Sequence, residues 1–127
     1  MRTELISIPT ATIPLDGALH LPDGPPTAGA ALLFHGNTMN FYTGAPRFLP
    51  PALTALGYAC LAFNRRGYDI LAIRDSRAAE GGAFQLTREG IEDNLTAARW
   101  SAAQGYPPPV VIGHSNGGML AVAHVGE

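Results

Sequence analysis

The stretch Val110-Val111-Ile112-Gly113-His114-Ser115-Asn116-Gly117-Gly118 constrains this chain more than any other. Three β-branched residues follow Pro107-Pro108-Pro109, the pattern of a short strand buried on both faces of a parallel sheet. The apolar run stops at Gly113, and Gly113, Ser115 and Gly117 then spell G-x-S-x-G. That spacing places a serine on a tight strand-to-helix turn, and Met119-Leu120-Ala121-Val122-Ala123 supplies the helix. The glycines have a steric purpose. Such a turn brings backbone segments too close for a Cβ, and it drives the central residue toward an unfavourable φ. An ordinary Gly/Ser turn has the same composition, but it does not require a strand before it and a helix after it. Ser115 is therefore the candidate nucleophile.

Two rival glycine motifs fail. Gly113 and Gly118 have the spacing of a phosphate-binding loop, yet Met119 stands where that loop needs a lysine. In the dinucleotide fingerprint Ser115 occupies the second glycine position, and too few residues follow for the ribose-binding acid. No cofactor and no metal are expected.

With 127 residues the chain reads as one domain. A composition of 46% hydrophobic and 14% charged residues is that of a globular protein, not a disordered one. The net charge of −2 comes from acids and bases scattered along the chain, so nucleic acid and anionic lipid are not expected partners. Cys60 is the one cysteine. It excludes an intrachain disulfide and sits in an apolar strand, as a buried hydrophobe does. The N-terminus lacks the apolar run of a secretory signal, and no segment reaches the length of a membrane span. A cytoplasmic location is the default expectation.

Leu5 to Ile8 and Ala18 to Leu21, separated by the turn-like Leu15-Asp16-Gly17, read as an opening antiparallel pair. His20 in the second run is assigned no chemistry. Ala30 to Phe34 is apolar throughout and ends in His35-Gly36-Asn37, the mark of a central strand. Arg47 to Gly57 reads as a helix with its prolines in the first turn and Gly57 closing it. Tyr58 to Phe63 is the next strand, followed by Asn64-Arg65-Arg66-Gly67-Tyr68-Asp69. Arg65, Arg66 and Asp69 either bind substrate or tie the loop down through ion pairs, the commoner role for a charged loop near a site. Residues 70–86 read as a long, mobile loop. From Thr87 to Gln104 a helix is expected to bury Ile91, Leu95, Ala98 and Ala102.

Strand, helix, strand, helix, strand, helix indicates a parallel sheet with right-handed crossovers, in which ligands gather at strand C-terminal ends. Both glycine turns fall there. His35-Gly36-Asn37 is placed to aim a backbone N–H at the same point as the N–H of Asn116, forming an oxyanion hole.

On the strand Leu32 to Phe34 leading into His35-Gly36, the Arg66-Gly67 loop and the turn Gly113 to Gly117, the chain resembles the N-terminal half of an α/β-hydrolase of the esterase, lipase and serine peptidase kind. The resemblance implies an α/β, three-layer sandwich with a mostly parallel sheet, incomplete at the C-terminus, with residues 1–127 forming the N-terminal portion of a single domain. It implies a serine hydrolase acting on a small-molecule acyl substrate, an ester, thioester or amide. Ser115 carries over as nucleophile, Asn37 and Asn116 as oxyanion-hole donors through their backbone N–H groups, and His35, Gly36 and His114 as substrate-positioning residues. Asn64 departs from the aspartate of many members, which bears on the loop and not on the chemistry. More seriously, the family's acid and histidine follow the serine, and here His124 is the sole later histidine, with no acid between. At 1.5 Å per residue His124 lies roughly 13 Å along a helix axis from the serine, too far to act as base. Two readings stand: a hydrolase represented by its first half, without efficient turnover by itself, or a non-catalytic remnant that binds a small ligand or a protein partner. Either way an uncovered edge at Val110 to Ile112 invites self-association.

Overall fold

The computed structural model describes residues 1–37, 39–66 and 86–126. Among the described residues five strands form one sheet: β1 (Arg2–Ile8), β2 (Leu15–Leu21), β3 (Gly29–Phe34), β4 (Tyr58–Phe63) and β5 (Val110–Gly113), in the spatial order β1-β2-β4-β3-β5. β1 and β2 are the expected antiparallel pair, in register from Arg2↔Leu21 to Ile8↔Leu15, but Leu15-Asp16-Gly17, expected to be the turn, lie inside β2 and pair with Ile8, Ser7 and Ile6. β2 also lies antiparallel to β4, whereas β3 runs parallel to both β4 and β5. Only β2 therefore runs against the other four.

Alternate side chains of the strands enter opposite layers. Leu32 and Phe34 of β3 join Leu61 and Phe63 of β4, and helices α2 (Thr87–Ala103) and α3 (Asn116–Val125) cover that face through Ala97 and Ala121. Ala31 and Leu33 point the other way with Cys60 and Ala62, under Leu53 of helix α1 (Ala45–Ala55). The result is the helix-sheet-helix sandwich that continuous apolar strands demand. Cys60 is a core residue, and burial pushes its thiol up to about 11. Among the described residues no helix is long and apolar enough to cross a membrane.

Expectations are corrected at β5, α1 and α2. β5 is not buried on both faces. It is the sheet edge, as expected of this chain, with Val111 and Ile112 half-buried and Val110 51% exposed. Helix α1 begins two residues early, with Pro46 in its first turn, and Pro50 and Pro51 lie inside it. Each interior proline deletes a ladder N–H; one turn later the Thr54 hydroxyl donates to Pro50 O at 2.8 Å. Gly57 does follow the helix with φ +94°, donating its N–H to Thr54 O at 3.0 Å. Helix α2 spans nearly the expected residues but is rotated: its buried stripe is Gly90, Asp93, Asn94, Ala97 and Ser101, while Ile91, Leu95 and Ala98 are half-buried and Ala102 is exposed. A polar face turns inward because Asp93 finds a cation there, as described below. Asp69 and nearly all of the expected loop 70–86 lie outside the described residues.

Candidate active site

β3 and β5 end side by side, with Phe34 in register with Gly113. The ladder continues one step into the turn, where His114 N–H donates to Phe34 O at 3.1 Å. The chain then reverses at Ser115 and enters α3 at Asn116. Ser115 has φ 55° and ψ −119°, and among the described residues it is the one non-glycine at positive φ. Such a conformation costs of order 1–3 kcal/mol and persists only where its surroundings impose it.

Those surroundings are backbone. A Cβ on Gly113 would stand 2.2 Å from Gly117 O, and one on Gly117 would stand 2.2 Å from Phe34 O and 2.6 Å from His35 O. Neither glycine has positive φ, so their requirement is close approach alone. The first turn of α3 is thereby wedged against the exit of β3.

Serine at a helix N-cap ordinarily turns its hydroxyl onto the helix's unpaired N–H groups. Ser115 occupies the N-cap and makes no such bond; its residue is exposed. The N–H groups of Gly117, Gly118 and Met119 turn back to His114 O, Ser115 O and Ser115 O at 2.9, 2.9 and 3.3 Å. That leaves the Asn116 N–H outside the ladder, at the positive end of the helix dipole.

The second turn is held from below. His35 is completely buried. Its Nδ1–H donates to Gly36 O at 2.7 Å, and its Nε2 accepts the Arg65 N–H at 3.1 Å. Both contacts require the same neutral tautomer, because a carbonyl can only accept and an amide can only donate. Burial first, then the Arg65 charge, lowers the imidazole to about 3, against the opposing pull of the Gly36 carbonyl. Met39 N–H reaches the same Gly36 O at 3.3 Å. A Cβ on Gly36 would lie 3.1 Å from His114 Nδ1 and 3.0 Å from Met39 Sδ, so the two turns touch through the His114 ring.

Sequence reasoning expected His35, Gly36 and His114 to position a substrate. His35 is sealed beneath the turn and acts on backbone; Gly36 is buried, whereas His114, Asn37 and Ser115 are exposed above it. His124 packs its ring edge to face on Phe34 at 5.5 Å, and His20 pairs with Thr3 Oγ1 at 2.9 Å. Burial lowers the pKa of both. Among the described residues no hydrogen bond joins Ser115 Oγ to a histidine.

The Asn64-Arg65-Arg66 segment ties the loops together, the role expected of it, and does so more extensively than its sequence suggests. Asn64 N–H donates to Asp16 O on β2, and Asn64 Oδ1 accepts Phe41 N–H, each at 2.8 Å. Arg66 presents its backbone N–H and its guanidinium to Asp93, at 2.6 Å and 2.9 Å, with Glu89 and Glu92 flanking. Asp93 is 1% exposed, which explains the inward polar face of α2. Asp93 was missed at the sequence level; the available signal was an acid three residues beyond Gly90 in a helix whose apolar stripe is weak. Among the described residues no cluster of metal-ligating side chains occurs.

A model of the alpha/beta hydrolase family matches residues 31–126, three quarters of the chain and all of both turns. The chain belongs to the alpha/beta hydrolase family. Solved structures carry the same fold. A dienelactone hydrolase from Anabaena variabilis superimposes with TM-score 0.74 at 20% identity, over 97% of this chain and 56% of its own. A serine hydrolase without lid from Xanthomonas campestris gives 0.74 at 21%, over 99% and 56%. The esterase domain of a Rhodothermus marinus protein gives 0.67 at 29%, over 99% and 45%. This family member thus spans about half the length of the solved structures it matches. A search of the curated proteins finds no match.

Proposed function

We propose that this chain carries the nucleophile and oxyanion-hole half of a serine hydrolase that cleaves an ester, thioester or amide of a small acyl substrate. Ser115 attacks the acyl carbon, and the backbone N–H groups of Asn37 and Asn116 receive the charge that develops on the carbonyl oxygen. The observation that carries this reading is the Ser115 backbone, held at φ 55° with its hydroxyl excluded from capping duty. A relaxed turn has no use for that strain. The esterase and hydrolase neighbours support an acyl-transfer reading, and their length supports a protein whose acid and histidine come from polypeptide outside these 127 residues. His35 is locked and His124 sits on Phe34, so neither is the base.

An unassisted serine is a weak nucleophile: a general base contributes roughly 10²–10⁴-fold, and loss of a triad member leaves roughly 10³–10⁴-fold over water. The test is an activated-ester assay with fluorophosphonate labelling. It compares the 127-residue chain, a chimera completed by the remaining part of the Rhodothermus marinus esterase domain, and the Ser115→Ala form of each. The expected outcome is near-background turnover by the chain and Ser115-dependent hydrolysis by the chimera. A folded chimera that stays inert points instead to a non-catalytic ligand- or protein-binding remnant.

A further inference from the structure

We propose that His35 is the positioning residue of the oxyanion hole, and that it acts by fixing the plane of the Gly36–Asn37 peptide. The inference rests on Asn37 N–H being an oxyanion donor. That N–H belongs to the same peptide unit as the Gly36 carbonyl. In a planar trans peptide the C=O and N–H point to opposite sides, and the described residues contain no cis peptide bond. Whatever pins Gly36 O therefore aims Asn37 N–H. Two donors pin it, His35 Nδ1 at 2.7 Å and Met39 N at 3.3 Å, and the imidazole bond is the shorter and better buried.

Gly36 makes the pin necessary. The residue has no side chain because His114 and Met39 crowd it, and a glycine leaves its peptide free to rotate where a bulkier residue would resist. The imidazole is itself anchored, since Arg65 N–H at the exit of β4 holds Nε2 at 3.1 Å. Arg65 follows Asn64, whose side chain binds Phe41 N–H beyond the turn. The chain of contacts thus runs from the β4 exit through one ring to the donor peptide. It also explains why a side chain that touches no solvent stands beside the site.

The two ring nitrogens can be tested separately. Asparagine places an N–H donor near the position of Nδ1, and glutamine places an oxygen acceptor near that of Nε2. ¹⁵N relaxation on the 127-residue chain reads the Asn37 N–H directly. In the unsubstituted protein its order parameter is expected near the rigid value of about 0.85, and to stay there in His35→Asn. In His35→Gln and His35→Phe it should fall below about 0.6, while amides of β3 and β4 keep their values. A merely structural histidine would lower stability in all three variants without this pattern. Undiminished order at Asn37 in His35→Phe, or identical behaviour of His35→Asn and His35→Gln, would overturn the proposal. The measurement does not involve Ser115 reactivity, so an inert chimera in the esterase test and a failed relaxation pattern are separate results.

Discussion

Acid should weaken this fold through His35. The imidazole is neutral in the native state down to about 3, against an ordinary value of 6.5 in the unfolded chain. Because the folded pKa is the lower one, unfolding takes up a proton at any pH between the two. The stability contributed by the neutral buried ring is fully present above pH 6.5. It is lost as pH falls through 6.5 toward 3, and the loss is complete below that. At pH 4.5 the unfolded ring lies two units below its pKa while the native ring is still neutral, a loss of about 3 kcal/mol. With a urea slope of about 1–3 kcal/mol per molar, the midpoint should drop by roughly 1–3 M between pH 7.5 and 4.5. Other groups contribute in the same range, including His20 and His124, whose pKa values are also lowered. The informative quantity is therefore the difference between wild type and His35→Gln, which cannot titrate at that position. Urea melts across this range, followed by far-ultraviolet dichroism, should show the variant losing about 3 kcal/mol less than wild type. Parallel pH dependences for the two proteins would refute the buried, neutral imidazole.

Replacing Gly113 or Gly117 by valine should destabilise by more than about 3 kcal/mol, since each new Cβ meets fixed backbone at 2.2 Å; Ser115→Gly should gain about 1 kcal/mol by relieving positive φ. Equal melting temperatures across these variants would show a relaxed turn. Arg66→Ala should cost about 3 kcal/mol by removing the guanidinium charge from the buried Asp93 carboxylate, which keeps neutral donors such as the residue-66 backbone N–H, a figure that calorimetry or denaturant melts can check. The β5 edge of the described sheet, with Val110 exposed, and the exposed Met119, Val122 and Val125 of α3 should make the 127-residue chain self-associate; a concentration-independent monomer in light scattering would contradict this.

The strands and both turns were legible because each is written in consecutive residues. Ala30 to Phe34 and Tyr58 to Phe63 are unbroken apolar runs, and the glycine pattern around Ser115 names its own steric demand. What escaped depends on partners distant in sequence. The rotation of α2 follows from an ion pair between Asp93 and Arg66, 27 residues apart, which outweighs an apolar stripe whose members are only half-buried. The start of α1 was misplaced because prolines were confined to a first turn, whereas Pro50 and Pro51 are tolerated inside. His35 looked like a residue that meets substrate because it lies in the turn expected to do so; only the fold brings Arg65 N–H to its far nitrogen.

The carbonyl of Phe34 receives the His114 N–H and also forms the wall that excludes any side chain at position 117. The serine turn is consequently not a portable pentapeptide. Its shape is cast against another strand, with a separation of about 80 residues in sequence between mould and casting. An engineer who grafts the five residues onto a new strand-helix junction should obtain a relaxed loop unless a parallel neighbour ending level with the first glycine is grafted with it. The same requirement sharpens motif searching: a G-x-S-x-G is informative when a second apolar strand upstream ends in a turn with a glycine that can lie under the first.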